Sequence, residues 1–406
     1  MGRGGLGSLI DPGANTAVTI THTPPLLGRW RALDLFRLLA VVLMVQGHVF
    51  TALLDPVVRE ASWFRGHNYV HGLTAPIFFL SSGVAFGVAT FRQWSFHTHA
   101  GTAVRRRLER YGWLLFIGYM LSLPQLSFRQ LLSDTTGDNA RAFFQVGALE
   151  NIAVSLVIAQ ALVWLLKRRL PFIAATGLLA AALVFCAPAA WRLPVEDWLP
   201  VGFAAYVNAD TGSLFPLFPW TGFLFFGVIA AYLCMKQDGR LRRRRSLGLA
   251  LSGLSLWLGA DLLEGTGVNV AGDYEYWKTS PIFFFTRLGL VLLSFAALCG
   301  LERWLGRSLA TPRAPDRVAR LGQETLVIYV AHLFLLYGSP VNPGLTKLWE
   351  PTLSVAQGLA VSAILLLAST GIAALWRQLR TQWPQRFRMF QLTLAVAVLL
   401  VALVKP

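Results

Sequence analysis

"RLLAVVLMVQGH", residues 37–48, runs as hydrocarbon between a guanidinium and an imidazole, interrupted only by Gln46 and Gly47. Apolar sequence resumes after His48, so both ionisable side chains sit inside or at the edges of one long hydrophobic segment. Runs of about 18 or more apolar residues recur along the chain, long enough to cross a hydrocarbon core of roughly 30 Å. The 406 residues are 55% hydrophobic and only 14% charged, too little charge for a soluble chain of this length. Irregular backbone cannot face lipid, so the spans must be helices. The expected fold class is an all-α polytopic membrane protein.

The apolar runs place spans at 32–54, 71–91, 111–124, 144–166, 172–190, 214–235, 246–263, 281–300, 322–338, 353–376 and 389–404, about eleven in all, with no internal repeat. Basic clusters fall on alternate connections: Arg29/Arg31, Arg105–Arg107 with Arg110, Lys167–Arg169, Arg242–Arg245, Arg313/Arg317/Arg320 and Arg377/Arg380. The connections between them are acidic or neutral, as at Glu196/Asp197 and Asp273/Glu275. The positive-inside rule therefore puts the N-terminus in the cytoplasm. The net charge of +16 follows mostly from this asymmetry. No nucleic-acid-binding motif surrounds these arginines, which argues against a nucleic-acid partner. The three cysteines, Cys186, Cys234 and Cys299, lie in apolar spans at unrelated spacings, the pattern of neither a disulfide framework nor a zinc site.

Residues 1–28 are rich in Gly, Thr and Pro and lack the apolar core of a signal peptide, so they are expected to form a disordered cytoplasmic tail. Residues 29–406 are expected to form a single transmembrane domain. No connection is long enough for a separate soluble domain, so any chemistry belongs among the helices and short loops.

Positions eleven apart on a helix differ by roughly 20° in direction and 16 Å in height. Arg37 and His48 thus share one face, and Asp34 joins Arg37 at i,i+3. Ionisable groups near a bilayer centre cost about 2.5–3.5 kcal/mol and face a bundle interior or a cavity. In "FRGHNYVHGLTAPIFFLSSG" (64–83), His67 and His71 stand four apart, so three of the seven histidines gather at the outer mouth of the first two spans. Imidazole is the side chain best suited to proton transfer near neutral pH. No third ligand accompanies the pair at a metal-site spacing, so no metal is expected. Further candidates are Glu150 beside Asn151 at the start of the fourth span, and Tyr329 with His332 inside the ninth. At the cytoplasmic mouth of the third span, Arg107 and Arg110 stand three apart, and guanidinium pairs bind phosphates well.

These residues carry a resemblance. "RALDLFRLLAVVLMVQGH" (31–48) is similar to the first helix of the transmembrane acyltransferase superfamily, with Arg37 and His48 on the arginine–histidine motif of the acyltransferase-3 family. "RRRLER" (105–110) resembles that family's R-x-x-R at Arg107 and Arg110, and "IYVAH" (328–332) its late tyrosine–histidine feature. The whole run is closer to the heparan-α-glucosaminide N-acetyltransferase catalytic-domain-like family. There, "HNYVHGLT" (67–74) places His67 on the proposed catalytic histidine, and "GALENIAVSL" and "FPWTGFLFFG" resemble later helices. His71 stands where that family often has asparagine, and Ala75 and Pro76 follow Thr74 where it usually has an acidic residue.

The resemblance implies transfer of an acetyl or other acyl group from cytoplasmic acyl-CoA to an extracytoplasmic, sugar-containing or lipid-linked acceptor. Arg37, Asp34, Arg107, Arg110, Glu150, Tyr329 and His332 would serve donor or substrate binding. His48, His67 or His71 would act as general base, or would carry the acyl group covalently. The excess of arginine over lysine suits a bacterial plasma (inner) membrane. A proton-coupled exporter of lipid-linked sugars would also place His and Arg in the membrane, but it calls for an inverted repeat or paired interrupted helices.

Overall fold

A computed structural model describes residues 30–123, 127–134, 136–236, 241–242, 244–267, 275–308, 321–339 and 342–405, with side-chain surroundings described to residue 304 in the stretch that ends at 308. The expected tail, 1–28, lies outside the described residues. The described residues are mostly helical, and no β-sheet occurs among them.

The helices that matter below are α1 (Arg31–Leu53), α2 (Ser62–His71), α3 (Thr74–Arg92), the short α4 (Trp94–His97), α5 (Thr102–Ser122), α6 (Ala148–Leu166), α7 (Arg169–Phe185), α8 (Leu217–Cys234), α9 (Arg245–Gly265), α10 (Pro281–Ser308), α11 (Thr325–Tyr337), α12 (Val355–Gln382) and α13 (Pro384–Val404). Among the described residues, eight stretches are long and apolar enough to cross a membrane: α1, Ser62–Arg92 (α2 with α3), α6, α8, α9, α10, α12 and α13. The other three expected spans fall on helices that miss that criterion. Helices α7 and α11, with 17 and 13 residues, are apolar but short. Helix α5 has 21 residues, and its first half carries Arg105–Arg107, Glu109 and Arg110. The chain is an all-α polytopic membrane protein, and eight of the expected spans meet this measure among the described residues.

The first helix is central because both sides of it are apolar. One side packs with α3 and α10, the other with α11 and α12. Phe36 and Ala40 join the main core, whereas Val41, Met44, Val45 and Val49 join a second one with Ile328 and Leu365. Between membrane helices the lipid is as apolar as leucine, so close packing of small residues has to supply the attraction. In the α3–α8 pair, a Cβ on Gly83 would overlap the Leu224 carbonyl, and one on Gly227 the Leu80 carbonyl. Helices α9 and α10 repeat the device: a Cβ on Gly253 would stand 2.8 Å from the Gly289 carbonyl oxygen. The C-terminal α13 is peripheral, with 11% of its apolar window buried against 61% for Ser62–Arg92.

Candidate active site

Two cavities meet inside the bundle. The larger, about 520 Å³, is lined by His48, His71, Glu150, Trp220, Arg287 and Tyr329 among others. The smaller, about 300 Å³, is lined by Arg37, Arg107, Arg110 and Tyr111. Phe78, Ala148, Leu149 and Tyr329 line both, so these side chains form the neck between them. Arg37 and His48 therefore face two adjoining cavities.

Helix α1 presents His48 on the larger cavity. Its Nδ1 lies 3.1 Å from Nε2 of His332, which α11 brings in completely buried. The other nitrogen of His332, Nδ1, lies 3.2 Å from the Ile328 carbonyl. A carbonyl only accepts, so His332 Nδ1 carries the hydrogen and its Nε2 is the acceptor. His48 Nδ1 then donates, and His48 Nε2 holds the lone pair. His71 comes from the C-terminal end of α2, its ring centroid 6.0 Å from that of His48 and 6.1 Å from that of His67. It presses so closely on α1 that a Cβ on Gly47 would overlap its ring, and its Nε2 is buried without a hydrogen-bond partner. His67 lines neither cavity. It is stacked between Phe50 and Phe64, with Nε2 2.9 Å from the Gln46 amide oxygen.

Across the larger cavity, Glu150 is 2% exposed in the first turn of α6, at the positive end of the helix dipole. Gly118 and Gly147 make room for its carboxyl group, since a Cβ on either would collide with it. The next residue, Asn151, is fully used: its amide donates to the carbonyls of Phe215 (2.8 Å) and Pro216 (3.0 Å), and its oxygen accepts from Ser155 and Thr221. This ties the segment that leads into α8 to α6 and sets Phe215 and Trp220, in edge contact at 4.7 Å, as an aromatic wall.

At the basic end, Arg37 donates to the Ser81 carbonyl at 3.3 Å, and the Asp34 charge lies within electrostatic reach. Arg107 is more committed. Its Nη1 donates to Thr90 Oγ1 (2.9 Å) and Gln160 Oε1 (3.3 Å), its guanidinium lies over Phe86, and it is 9% exposed. Gln160 in turn donates to the His97 carbonyl at 3.0 Å. His97, on α4 outside the membrane-spanning helices, is held down to about 4, first by burial and then by the Arg107 charge. Arg110 is exposed at the cavity mouth.

The structure thus brings together His48, His67 and His71, adds His332 behind His48, and gathers Arg37, Arg107 and Arg110 around one chamber. Asp34 is buried one turn before Arg37 on α1 and lines neither cavity. Glu150 stands on the histidine side of the neck, away from the arginines, and Tyr329 stands at the neck. His67 and His71 lie on a helix of their own, separated from α3 by Gly72 and Leu73. Arg287, Tyr337 and Gln46 were missed. Arg287 had one local signal, a cation seven residues into an apolar span, and Gln46 another, a polar side chain beside Gly47. Among the described residues, no group of three or more His, Cys, Asp or Glu is arranged to hold a metal ion.

The family model described as "Heparan-alpha-glucosaminide N-acetyltransferase, catalytic" matches residues 29–264. A comparison with curated proteins gives no match.

Proposed function

The chain belongs to the heparan-alpha-glucosaminide N-acetyltransferase catalytic family, a family of membrane acetyltransferases, and from that premise we propose that it moves an acetyl group from cytoplasmic acetyl-CoA to an extracytoplasmic sugar-containing acceptor. The observation that carries this reading is the pair of adjoining cavities that share Tyr329, with Arg37, Arg107 and Arg110 on one and His48 and His71 on the other. Arg110 and Arg37 attract the phosphates of CoA, and Arg107 keeps donors to spare beyond its two internal bonds. The thioester arm enters the smaller cavity and brings its carbonyl to the neck.

The acceptor occupies the larger cavity against Trp220. As its amine or hydroxyl attacks the thioester carbon, His48 Nε2 takes the proton that is released. The carbon–sulfur bond then breaks, and the thiolate leaves with a proton returned by His48. His332 keeps the His48 tautomer fixed throughout, and His71 lies on the acceptor side. Histidine count is not the point; the lone pair at His48 is. Residues 29–406 work as one transmembrane unit, in a plasma membrane with the basic connections on the cytoplasmic face.

The test is vectorial. Protein reconstituted in liposomes is given labelled acetyl-CoA on one side and an amino-sugar acceptor on the other. Acetylated acceptor appearing only on the side opposite the donor, and vanishing with His48→Gln, supports the proposal. Product on the donor side, or full activity without His48, defeats it.

A further inference from the structure

Arg287 lies in α10 and lines the larger cavity. A cation inside a membrane helix is expensive and is retained beside a partner or an ionic path. Within the protein, the Tyr69 phenol lies within electrostatic reach of Arg287. Nη1 donates to the Gly72 carbonyl at 3.0 Å, and the guanidinium carbon sits 4.1 Å from the centre of the Phe283 ring. Nε is buried without any hydrogen-bond partner. Among the described residues, no carboxylate forms an ion pair with Arg287 and nothing accepts from Nη2.

The two unused donors form one edge of the guanidinium, and that edge matches the two oxygens of a carboxylate or phosphate. Its location ties it to the chemistry. Gly72, which holds Nη1, directly follows His71, and His71 faces His48 across 6.0 Å between ring centres. Glu150 is the other charged group on this cavity's wall, and it is lodged on the far side between Gly118 and Gly147. Arg287 also lies beyond residue 264, where the family match stops.

We propose that Arg287 is an oxyanion-binding site for the acceptor, so that the sugar accepted here carries a carboxylate or phosphate close to the group that is acetylated. The assignment rests on the larger cavity being the acceptor's, as in the function proposed above. Gly72 is part of the site. A Cβ there would stand 2.6 Å from Nη2 and turn the guanidinium away.

The test uses protein in phosphatidylcholine nanodiscs, without any acyl donor. Glucuronate, glucose 6-phosphate and glucose are titrated separately while thermal stability and ligand binding are followed. The expected result is saturable binding of glucuronate or glucose 6-phosphate at least tenfold tighter than glucose, lost in Arg287→Gln. The carboxylate and phosphate arms tell which oxyanion is meant. Arg287→Lys, charged but not forked, should keep part of the preference, and Gly72→Ala should weaken it; both keep the test alive if Arg287→Gln does not fold. Equal binding of glucose, or an anion preference that survives Arg287→Gln, overturns the proposal. So does stabilisation by phosphatidylglycerol alone through Arg287, which would make the site a lipid's. CoA release from acetyl-CoA is measured in parallel, so that failed transfer with intact anion binding counts against the transferase reading and not against this site.

Discussion

His48 Nδ1 donates to His332 Nε2 at 3.1 Å, and the Ile328 carbonyl behind His332 fixes the direction of that bond. A half-buried imidazole held this way keeps one lone pair, on His48 Nε2, and His48 lines the larger cavity. Loss of a general base typically costs about 10²–10⁴ in rate. His48→Gln should show a fall of that order in kcat with little change in KM for acetyl-CoA. His332→Leu should lower kcat less and shift the pH–rate profile, and His332→Gln, whose amide oxygen accepts, should recover most of the loss. An unshifted profile in His332→Leu would reduce His332 to packing.

The three clustered histidines separate by position. His71 lines the cavity and His67 does not. Replacing His71 with Ala should raise KM for the acceptor strongly, whereas His67→Ala should change kcat/KM less than about tenfold, below the usual contribution of a general base. Gly47→Ala should imitate His71→Ala by pushing the ring off α1. Steady-state kinetics on the three variants decide the order.

Tyr329 stands between the chambers. Tyr329→Ala widens the neck and should raise CoA release that is not matched by acetylated acceptor, since water then reaches the thioester. Tyr329→Trp narrows it and should suppress transfer while acetyl-CoA still binds. Paired measurement of CoA and product tests both.

Asn151 has its amide and its oxygen fully engaged in a buried site. Asn151→Leu takes a donor from the Phe215 and Pro216 carbonyls, at about 1–3 kcal/mol for each group left unsatisfied, while the Ser155 and Thr221 hydroxyls still bond each other at 2.8 Å. The variant should melt well below wild type, and it should bind acceptor poorly because Trp220 is no longer anchored. Wild-type melting in Asn151→Leu would contradict this.

His97 folds neutral, held down to about 4 against an ordinary 6.5. A group with a depressed value on folding gives stability that is whole above the unfolded pKa and is lost as pH falls through the folded one. Between pH 6.5 and 4 the unfolded chain takes up a proton that the folded one refuses. Melting temperature should therefore drop across that window, and it should drop less in His97→Asn. The nearby Arg107 charge works in the same direction as burial, so Arg107→Gln should soften the drop as well.

Much of this was legible along the chain because it is local. The shared face of Arg37 and His48 follows from helical pitch, and the gathering of His48, His67 and His71 follows from their closeness to one connection. Arg107 and Arg110 were readable as a mouth, although the charges on Arg105–Arg110 hid that the helix begins at Thr102. What was not legible is long-range. His48 meets His332 across 284 residues, and Arg287 meets Gly72 across 215. The placement of Glu150 with the histidines depends on where α5 and α6 cross, through Gly118 and Gly147, and no spacing within one helix encodes that. The small-residue contacts of Gly83 and Gly227 belong to the same class: each glycine is unremarkable alone and meaningful only against its partner's carbonyl.

The thin neck at Phe78 and Tyr329 has an electrical consequence. In the proposed function the two cavities open toward opposite faces, so the insulating part of the membrane would shrink here to the side chains between them, and the transmembrane voltage would fall across those side chains. Moving one elementary charge through the full drop involves about 2.3 kcal/mol per 100 mV. Charge displaced elsewhere in either recess meets little of the field, whereas a proton or charged group passing Tyr329 meets nearly all of it. The resting voltage of the cell would thereby become a quantity that the proposed acetyl transfer feels.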